Sequence, residues 1–278
     1  LPAALTGFVG RQQELAELRA LLASPNNRWL TLLGPGGAGK TRLAVEAALA
    51  CQSIFLNGVW FVPLTAASPA SPEALAAAIA QAVACPLNGS DAPEQQLLAF
   101  LHAKETLLVL DNLEEWLDAA GWLSGLLAQT PGVKVLATSR QRVDLQAERV
   151  YTLEGLPTPA PAATDPAAFA AVQLFLRRVR RVEAGFVLDE AEAAAAAQIC
   201  RLVEGLPLGI ELAAAWAGQL SSVEIAAQIE HNLDFLATTR RDVHPRQRSL
   251  RAVFDWSWSR LPAEEQAVFS RLALFSGP

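Results

Sequence analysis

A chain of 278 residues is long enough for one full hydrophobic core and a second folded unit, since single cores seldom grow past roughly 250–300 residues. Its 52% hydrophobic content is carried largely by alanine, and no stretch approaches the ~20 consecutive apolar residues of a membrane span. A net charge of −6 argues against this stretch clamping nucleic acid by itself, because neutralising phosphates takes a surplus of Lys and Arg.

In chain order, five short runs rich in β-branched and aromatic residues read as strands: Trp29–Leu33, Val59–Leu64, Thr106–Leu110, Val133–Ala137 and Arg149–Leu153. Most are apolar at successive positions, the pattern of parallel strands covered on both faces, and helical segments such as Thr41–Ala50, Pro72–Val83 and Glu94–Leu101 lie between them. The expectation is an α/β doubly wound sheet over residues 1–156. Four prolines from Pro157 to Pro166 remove backbone donors and favour extended chain, so a domain boundary belongs there. Beyond it, Ala167–Val182, Asp189–Glu204, Leu208–Gln219 and Val223–Leu233 are helical patterns, with the cap-type residues Asp189 and Ser222 at or beside two of the starts. They predict a small helical bundle over 157–245. The longest apolar run, Leu206–Leu220, carries Glu211 and at 15 residues suits a buried helix. A polar, basic stretch from Thr238 to Arg248 leads to two amphipathic helices, Leu250–Arg260 and Ala263–Phe275, read as the start of a third domain over 246–278.

The pattern GxxxxGK[ST] is met by Gly34-Pro35-Gly36-Gly37-Ala38-Gly39-Lys40-Thr41, straight after an apolar strand and straight before a helix. Glycines let backbone N–H groups turn inward around a β-phosphate, and a helix N-terminus adds roughly half a positive charge at the same place. Lys40 is placed to neutralise β/γ oxygens, Thr41 to offer its hydroxyl to Mg²⁺, and Arg42 follows them at the start of the helix. The expected ligand is a purine nucleotide, ATP or ADP with Mg²⁺. A glycine-rich turn that binds nothing would not require strand, loop, Lys, Thr and helix in this order.

The run Thr106–Asp111 is an apolar strand delivering a carboxylate at its C-terminal end, where Asp111 would hold Mg²⁺ through water. Hydrolysis also needs a base or a water-positioning group near the γ-phosphate. Asn112 follows Asp111 and cannot take a proton; Glu114 and Glu115 are the nearest carboxylates, and each reads equally well as a solvated residue of the next helix. Slow chemistry is therefore expected. Arg140, after the strand Val133–Ala137, reads as a γ-phosphate sensor whose guanidinium meets oxygens that ADP lacks, with Arg142 as the spare candidate and a plain surface arginine as the bland reading.

Taken in order, Phe8-Val9-Gly10-Arg11, the phosphate loop, the LLVLDNLE segment ending at Glu114, the LATSR segment ending at Arg140, and Gly205-Leu206-Pro207 resemble the signal-transduction ATPases with numerous domains, the STAND class. Within it the chain is similar to bacterial regulators related to the NB-ARC modules. The resemblance runs from about Thr6 to the end of the chain. It implies a P-loop NTPase sheet of order 2-3-4-1-5, then a helical lid domain, then a winged-helix domain opening near Arg248–Ser257. It also implies adenine contacts from Phe8, Val9 and Arg11, with Pro207 packing on the base; local reasoning makes Gly205 and Pro207 a helix stop followed by a start. The histidine that relatives place against the β-phosphate of ADP has no matching position here.

The function so implied is an ATP/ADP-dependent switch, closed with ADP and competent to self-oligomerise with ATP, serving sensor and effector domains outside this fragment. A constitutive ATPase remodelling DNA or protein is the alternative, and a scaffold that binds nucleotide without hydrolysing it is a third. Chain ends at Leu1 and Ser276-Gly277-Pro278 and the absence of methionine suggest an excised fragment. Cys51, Cys85 and Cys200 lack metal or redox spacing and suit a reducing compartment, so the cytoplasm is expected. His102, His231 and His244 stand apart from one another and from Cys, and no metal site is expected from them. Arg177, Arg178, Arg180 and Arg181 read as a solvated helix face opposite Leu174, Phe175, Leu176, Val179 and Val182 rather than as a nucleic-acid patch. Most of the seven tryptophans are expected in the core, with Trp116 and Trp122 partly exposed on the helix after Asp111.

Overall fold

The computed structural model describes residues 1–3, 6–64, 70–89, 91–161, 163–238, 248–259 and 261–272, and of Trp256 the backbone alone. Two compact units are present: Leu1–Pro35 with Gly39–Glu154, and Gly36–Ala38 with Gly155–Pro278. Positions 239–247 of the basic stretch, with His244, and the end of the last expected helix beyond Leu272 lie outside the described residues.

The first unit contains α1 (Gln12–Ala23), β1 (Trp29–Leu33), α2 (Lys40–Ala50), β2 (Val59–Pro63), α3 (Pro72–Ala82), α4 (Pro93–Leu101), β3 (Thr106–Asp111), α5 (Leu117–Gln129), β4 (Val133–Ser139) and β5 (Glu148–Thr152). Its strands form one all-parallel sheet of order β2-β3-β4-β1-β5, a P-loop NTPase arrangement and the order the resemblance implies. Burial follows position in the sheet: β3 is buried at all six residues, whereas the edge strands β2 and β5 are mostly half-buried or exposed. The core gathers Trp29, Leu108, Leu110, Val135 and Ala137 from the strands with Leu75, Ile79, Leu97 and Leu123 from the helices on one side. Ser71 caps α3, accepting the Ala74 N–H at 3.2 Å, with Pro72 at the first helical position.

Two strands run past their apolar stretches. β3 takes in Asp111 and β4 takes in Thr138 and Ser139, because ladder-type bonds continue there: Leu64 N–H donates to Asp111 O at 3.0 Å and Gly34 N–H to Ser139 O at 3.3 Å. Polar residues thus lie inside strand ends, which positions the site. A reading by apolar runs passes over α1, whose buried residues are only Leu18 and Leu22. Trp116 is a correction: it is 3% exposed and belongs to the core beneath α5, while Trp122 is half-buried.

The second unit contains α6 (Ala170–Val182), α7 (Glu190–Leu202), α8 (Pro207–Ala214), α9 (Ser222–His231), α10 (Leu250–Trp258) and α11 (Ala263–Leu272). α6 packs on α7 and α8, and α7 on α9, around Phe175, Val179, Ile199, Ile210 and Ile225. Asp189 caps α7; α9 is capped by Ser221, one residue before the Ser222 singled out above, because only Ser221 has Glu224 three positions on to complete a capping box. α8 stops at Ala214, five residues short of the expected end; the chain turns through Gly218 (φ 86°), and Trp216 stacks on Phe235 with ring centroids 4.6 Å apart. On α6 the arginine-rich face is solvated at Arg177, Arg180 and Arg181, while Arg178 pairs with Glu211 at 2.5 Å; Val182, expected in the buried stripe, is exposed.

Gly205 ends α7 at φ 66°, donating to Cys200 O at 2.8 Å, and Pro207 opens α8, so the stop-and-start reading of this motif holds. The chain crosses itself here. A Cβ on Gly205 would lie 2.1 Å from Leu156 O, and one on Gly155 would lie 1.9 Å from Glu204 O, so only hydrogen fits at both positions. Among the described residues no helix is long and apolar enough to cross a membrane.

Candidate functional site

The site is built where β1, β3 and β4 end side by side. Leu33 pairs with Ser139 in register and Leu110 with Ala137, so Asp111 and Thr138 emerge together beside the loop that leaves β1. Gly34 opens that loop under tight constraint, since a Cβ there would sit 2.3 Å from Leu153 O on the neighbouring strand end. Gly37 and Gly39 have φ of 82° and 89°, a region L side chains rarely adopt. α2 then starts at Lys40 with no side-chain cap, so its first-turn N–H groups are left for an external acceptor.

Lys40 is 9% exposed and its ammonium donates to Gly34 O at 2.7 Å and Pro35 O at 3.0 Å. Burial lowers its pKa from 10.5 to about 8; Glu114 and Asp111 pull it back up, and Arg140 adds to the fall. An anion at the loop would restore what burial takes away.

Asp111, 7% exposed, is held by two hydroxyls on one oxygen: Thr41 Oγ1 and Thr138 Oγ1 each donate to Oδ1 at 2.6 Å. Asn112 Nδ2 reaches its Oδ2 at 3.3 Å. Burial pushes the Asp111 carboxyl upward, and the Thr138 and Thr41 hydrogen bonds and Lys40 oppose it. The donors around this point are a hydroxyl and a carboxylate, the hard-oxygen chemistry that suits Mg²⁺. Among the described residues no three His, Cys, Asp or Glu side chains gather to cage a metal, so a cation here would complete its shell from water and phosphate.

Glu114 is 6% exposed on a 3₁₀ turn, Leu113–Glu115, so it is not a solvated helix residue; Glu115 in the same turn is half-buried. Glu114 Oε1 lies 3.4 Å from Arg140 Nε. Burial raises the Glu114 pKa, with Lys40 and Arg140 acting against the rise. Arg142, the spare sensor, pairs at 4.0 Å with Asp144 on the surface.

The base-side candidates of the N-terminal strip have their own supports. Gly10 and Arg11 are both left-handed (φ 66° and 65°), and the Arg11 guanidinium donates to Glu14 at 2.7 Å and to Glu154 O. Arg42 donates to Thr6 O at 2.6 Å and lies 5.7 Å from the centre of the Phe8 ring, so it ties this strip to α2. Val9 is half-buried, and Pro207 belongs to the second unit. Two relationships escape sequence reasoning: the Thr138 bond to Asp111 and the Arg140–Glu114 pair. Both join residues at or just beyond the ends of neighbouring strands, and the signal for them is sheet order, which brings the ends of β3 and β4 together.

Residues 11–151 match the family model described as the NB-ARC domain. A protein of Mycobacterium tuberculosis named "Putative HTH-type transcriptional regulator" is 39% identical over 262 residues, which is 94% of this chain and 28% of that protein. The regulatory protein AfsR of Streptomyces griseus is 28% identical over 295 residues, covering all of this chain and again 28% of the relative. The chain therefore spans little more than a quarter of the length of these relatives. In fold, CDC6P of Pyrobaculum aerophilum superposes with a TM-score of 0.54 at 18% identity, over 79% of this chain and 65% of that one.

Proposed function

The chain belongs to the NB-ARC family of P-loop NTPases, and from that premise we propose that it is the adenine-nucleotide switch of a larger regulator, closed with ADP and able to self-associate with ATP. The observation that carries this reading is the joint placement of Lys40 on the loop carbonyls and of Asp111 against Thr41 at 2.6 Å. In it, the loop Gly34–Thr41 and the N-terminus of α2 bind the β-phosphate, and the Lys40 ammonium leaves its loop carbonyls for phosphate oxygens. Thr41 and Asp111 would hold Mg²⁺, which would screen the charge of the phosphates. Phe8, Val9 and Arg11, secured by Arg42, would line the base, with Pro207 assigned to the same role by resemblance.

Glu114 is the base or water-positioning carboxylate in this reading, since Asn112 cannot accept a proton and Glu114 is a buried carboxylate whose electrostatic neighbours are Lys40, Arg140 and Asp111. Arg140 shares its charge between Glu114 and the γ-phosphate, giving ATP a contact that ADP lacks. A near-complete flip between two states needs roughly 5.5 kcal/mol of differential affinity, more than one arginine supplies, so sensor and effector segments of the longer relatives' kind must contribute. The name of the mycobacterial relative supports transcription regulation as the output, with DNA contact made outside this acidic stretch. The test is the oligomeric state and scattering profile of the full-length protein with ADP and with a non-hydrolysable ATP analogue. A larger species with the analogue alone is expected; identical profiles would remove the switch.

A further inference from the structure

Thr138 is 1% exposed at the end of a central strand and makes two directed bonds. Its hydroxyl donates to Asp111 Oδ1 at 2.6 Å and accepts the Asn112 N–H at 3.0 Å. The two bonds are compatible because a hydroxyl has one proton to give and lone pairs to receive. Asn112 has φ 63°, so its amide turns away from the ordinary strand direction at the point where Thr138 meets it. Ser139, one residue on, bonds instead to the Gln141 backbone, which leaves Thr138 as the strand-end hydroxyl that faces β3.

We propose that Thr138 is a positioning residue for the Mg²⁺-bound nucleotide: it fixes the rotamer of the Asp111 carboxylate and clamps the turn that follows. The inference rests on the nucleotide reading above. Thr138 itself contacts neither phosphate nor cation. Thr41 donates to the same carboxylate oxygen, so a carboxylate held by Thr138 also orients the Thr41 hydroxyl, directing its lone pairs to the cation. Without the Thr138 hydroxyl, Asp111 Oδ1 keeps the Thr41 bond alone, and the carboxylate is held less firmly in that orientation. Lys40 and the loop amides, which bind phosphate without metal, are untouched. The consequence is specific: the part of nucleotide affinity that depends on Mg²⁺ falls, and the part that does not is retained.

The experiment is calorimetric titration of ADP into the wild-type chain and into Thr138→Val, Thr138→Ala and Thr138→Ser, each with Mg²⁺ and with EDTA. The Val and Ala variants should lose about tenfold of the affinity gained from Mg²⁺, as removal of an outer-shell partner does, while the affinity in EDTA stays at the wild-type value and Ser keeps the full gain. Should the Val side chain prevent folding, the smaller Ala variant carries the same comparison. An unchanged Mg²⁺ gain in the Val or Ala variant overturns the inference, and so does an equal loss with and without Mg²⁺, which marks a purely structural hydroxyl. Wild-type protein that binds no ADP under either condition overturns the nucleotide reading itself.

Discussion

Arg140 Nε stands 3.4 Å from Glu114 Oε1, a cation at the end of one strand neutralising a carboxylate carried just beyond the next. Both side chains are largely buried, at 19% and 4% exposure, so the pair is only weakly screened by solvent. Together with Lys40 and Asp111 they form one electrostatic group, since each of the two carboxyls helps hold the Lys40 proton and Arg140 works against it.

If Arg140 distinguishes the two nucleotides, Arg140→Ala should weaken ATP about tenfold more than ADP, the scale of one charge-assisted hydrogen bond. Titration of both nucleotides into the variant reads this directly. Equal losses would refute the sensor role and leave Arg140 as the counter-ion of Glu114.

Glu114→Gln preserves shape and removes the basic oxygen. Single-turnover hydrolysis of bound ATP should slow by roughly 10² or more, with ATP affinity held or improved because a negative charge beside the phosphates is gone. Glu115→Gln should turn over as wild type. A reversal of the two results would assign the base to Glu115.

The Lys40 pKa of about 8 sets a pH dependence with a definite sign. Phosphate binds the protonated ammonium, so nucleotide affinity should be flat below pH 8 and fall by up to about tenfold per unit above it, with uptake of roughly half a proton on binding near pH 8. Stability without nucleotide moves the other way: between pH 8 and 10.5 the unfolded chain holds the Lys40 proton more tightly than the folded one, so this group makes the protein more stable as pH rises through that window. Titrations in buffers of different ionisation enthalpy count the proton, and proton release instead of uptake would contradict the assignment.

In the second unit, Gly155→Ala and Gly205→Ala should each destabilise by ~2 kcal/mol or more, because the new Cβ would meet a carbonyl oxygen at 1.9 or 2.1 Å and, at Gly205, a φ of 66° as well. Gly185→Ala, which meets nothing within 4 Å, is the matched control. Urea midpoints of the three variants check this, and a Gly205 variant as stable as the Gly185 control would show that the crossing of the two segments is not tight.

The sheet was legible because β1, β3 and β4 are nearly continuous apolar runs, and the loop because a fixed spacing of Gly, Lys and Thr has few other uses. Strand ends were not: Asp111, Thr138 and Ser139 are polar, so an apolar pattern stops before them, although the ladder continues through them. The environment of Glu114 could not be read from its neighbours, since a carboxylate after a strand looks the same in sequence whether solvated or buried against an arginine that follows β4. α8 ends at Ala214 although the apolar run continues; the chain turns through Gly218 at φ 86° and Trp216 stacks on Phe235, a contact that helix periodicity does not encode. Arg42, which follows the loop in sequence, also fastens the N-terminal strip through Thr6 O, a bond across 36 residues of sequence.

The most direct test of the whole account is calorimetry and thermal melting of the wild-type chain and Lys40→Ala with Mg²⁺ and ADP or ATP. Wild type should release or absorb measurable heat and melt higher with ligand, by the ~2.7 kcal/mol that a hundredfold excess over Kd confers, and the variant should show neither. A wild-type chain that gave no heat and no melting rise with any nucleoside di- or triphosphate would contradict it.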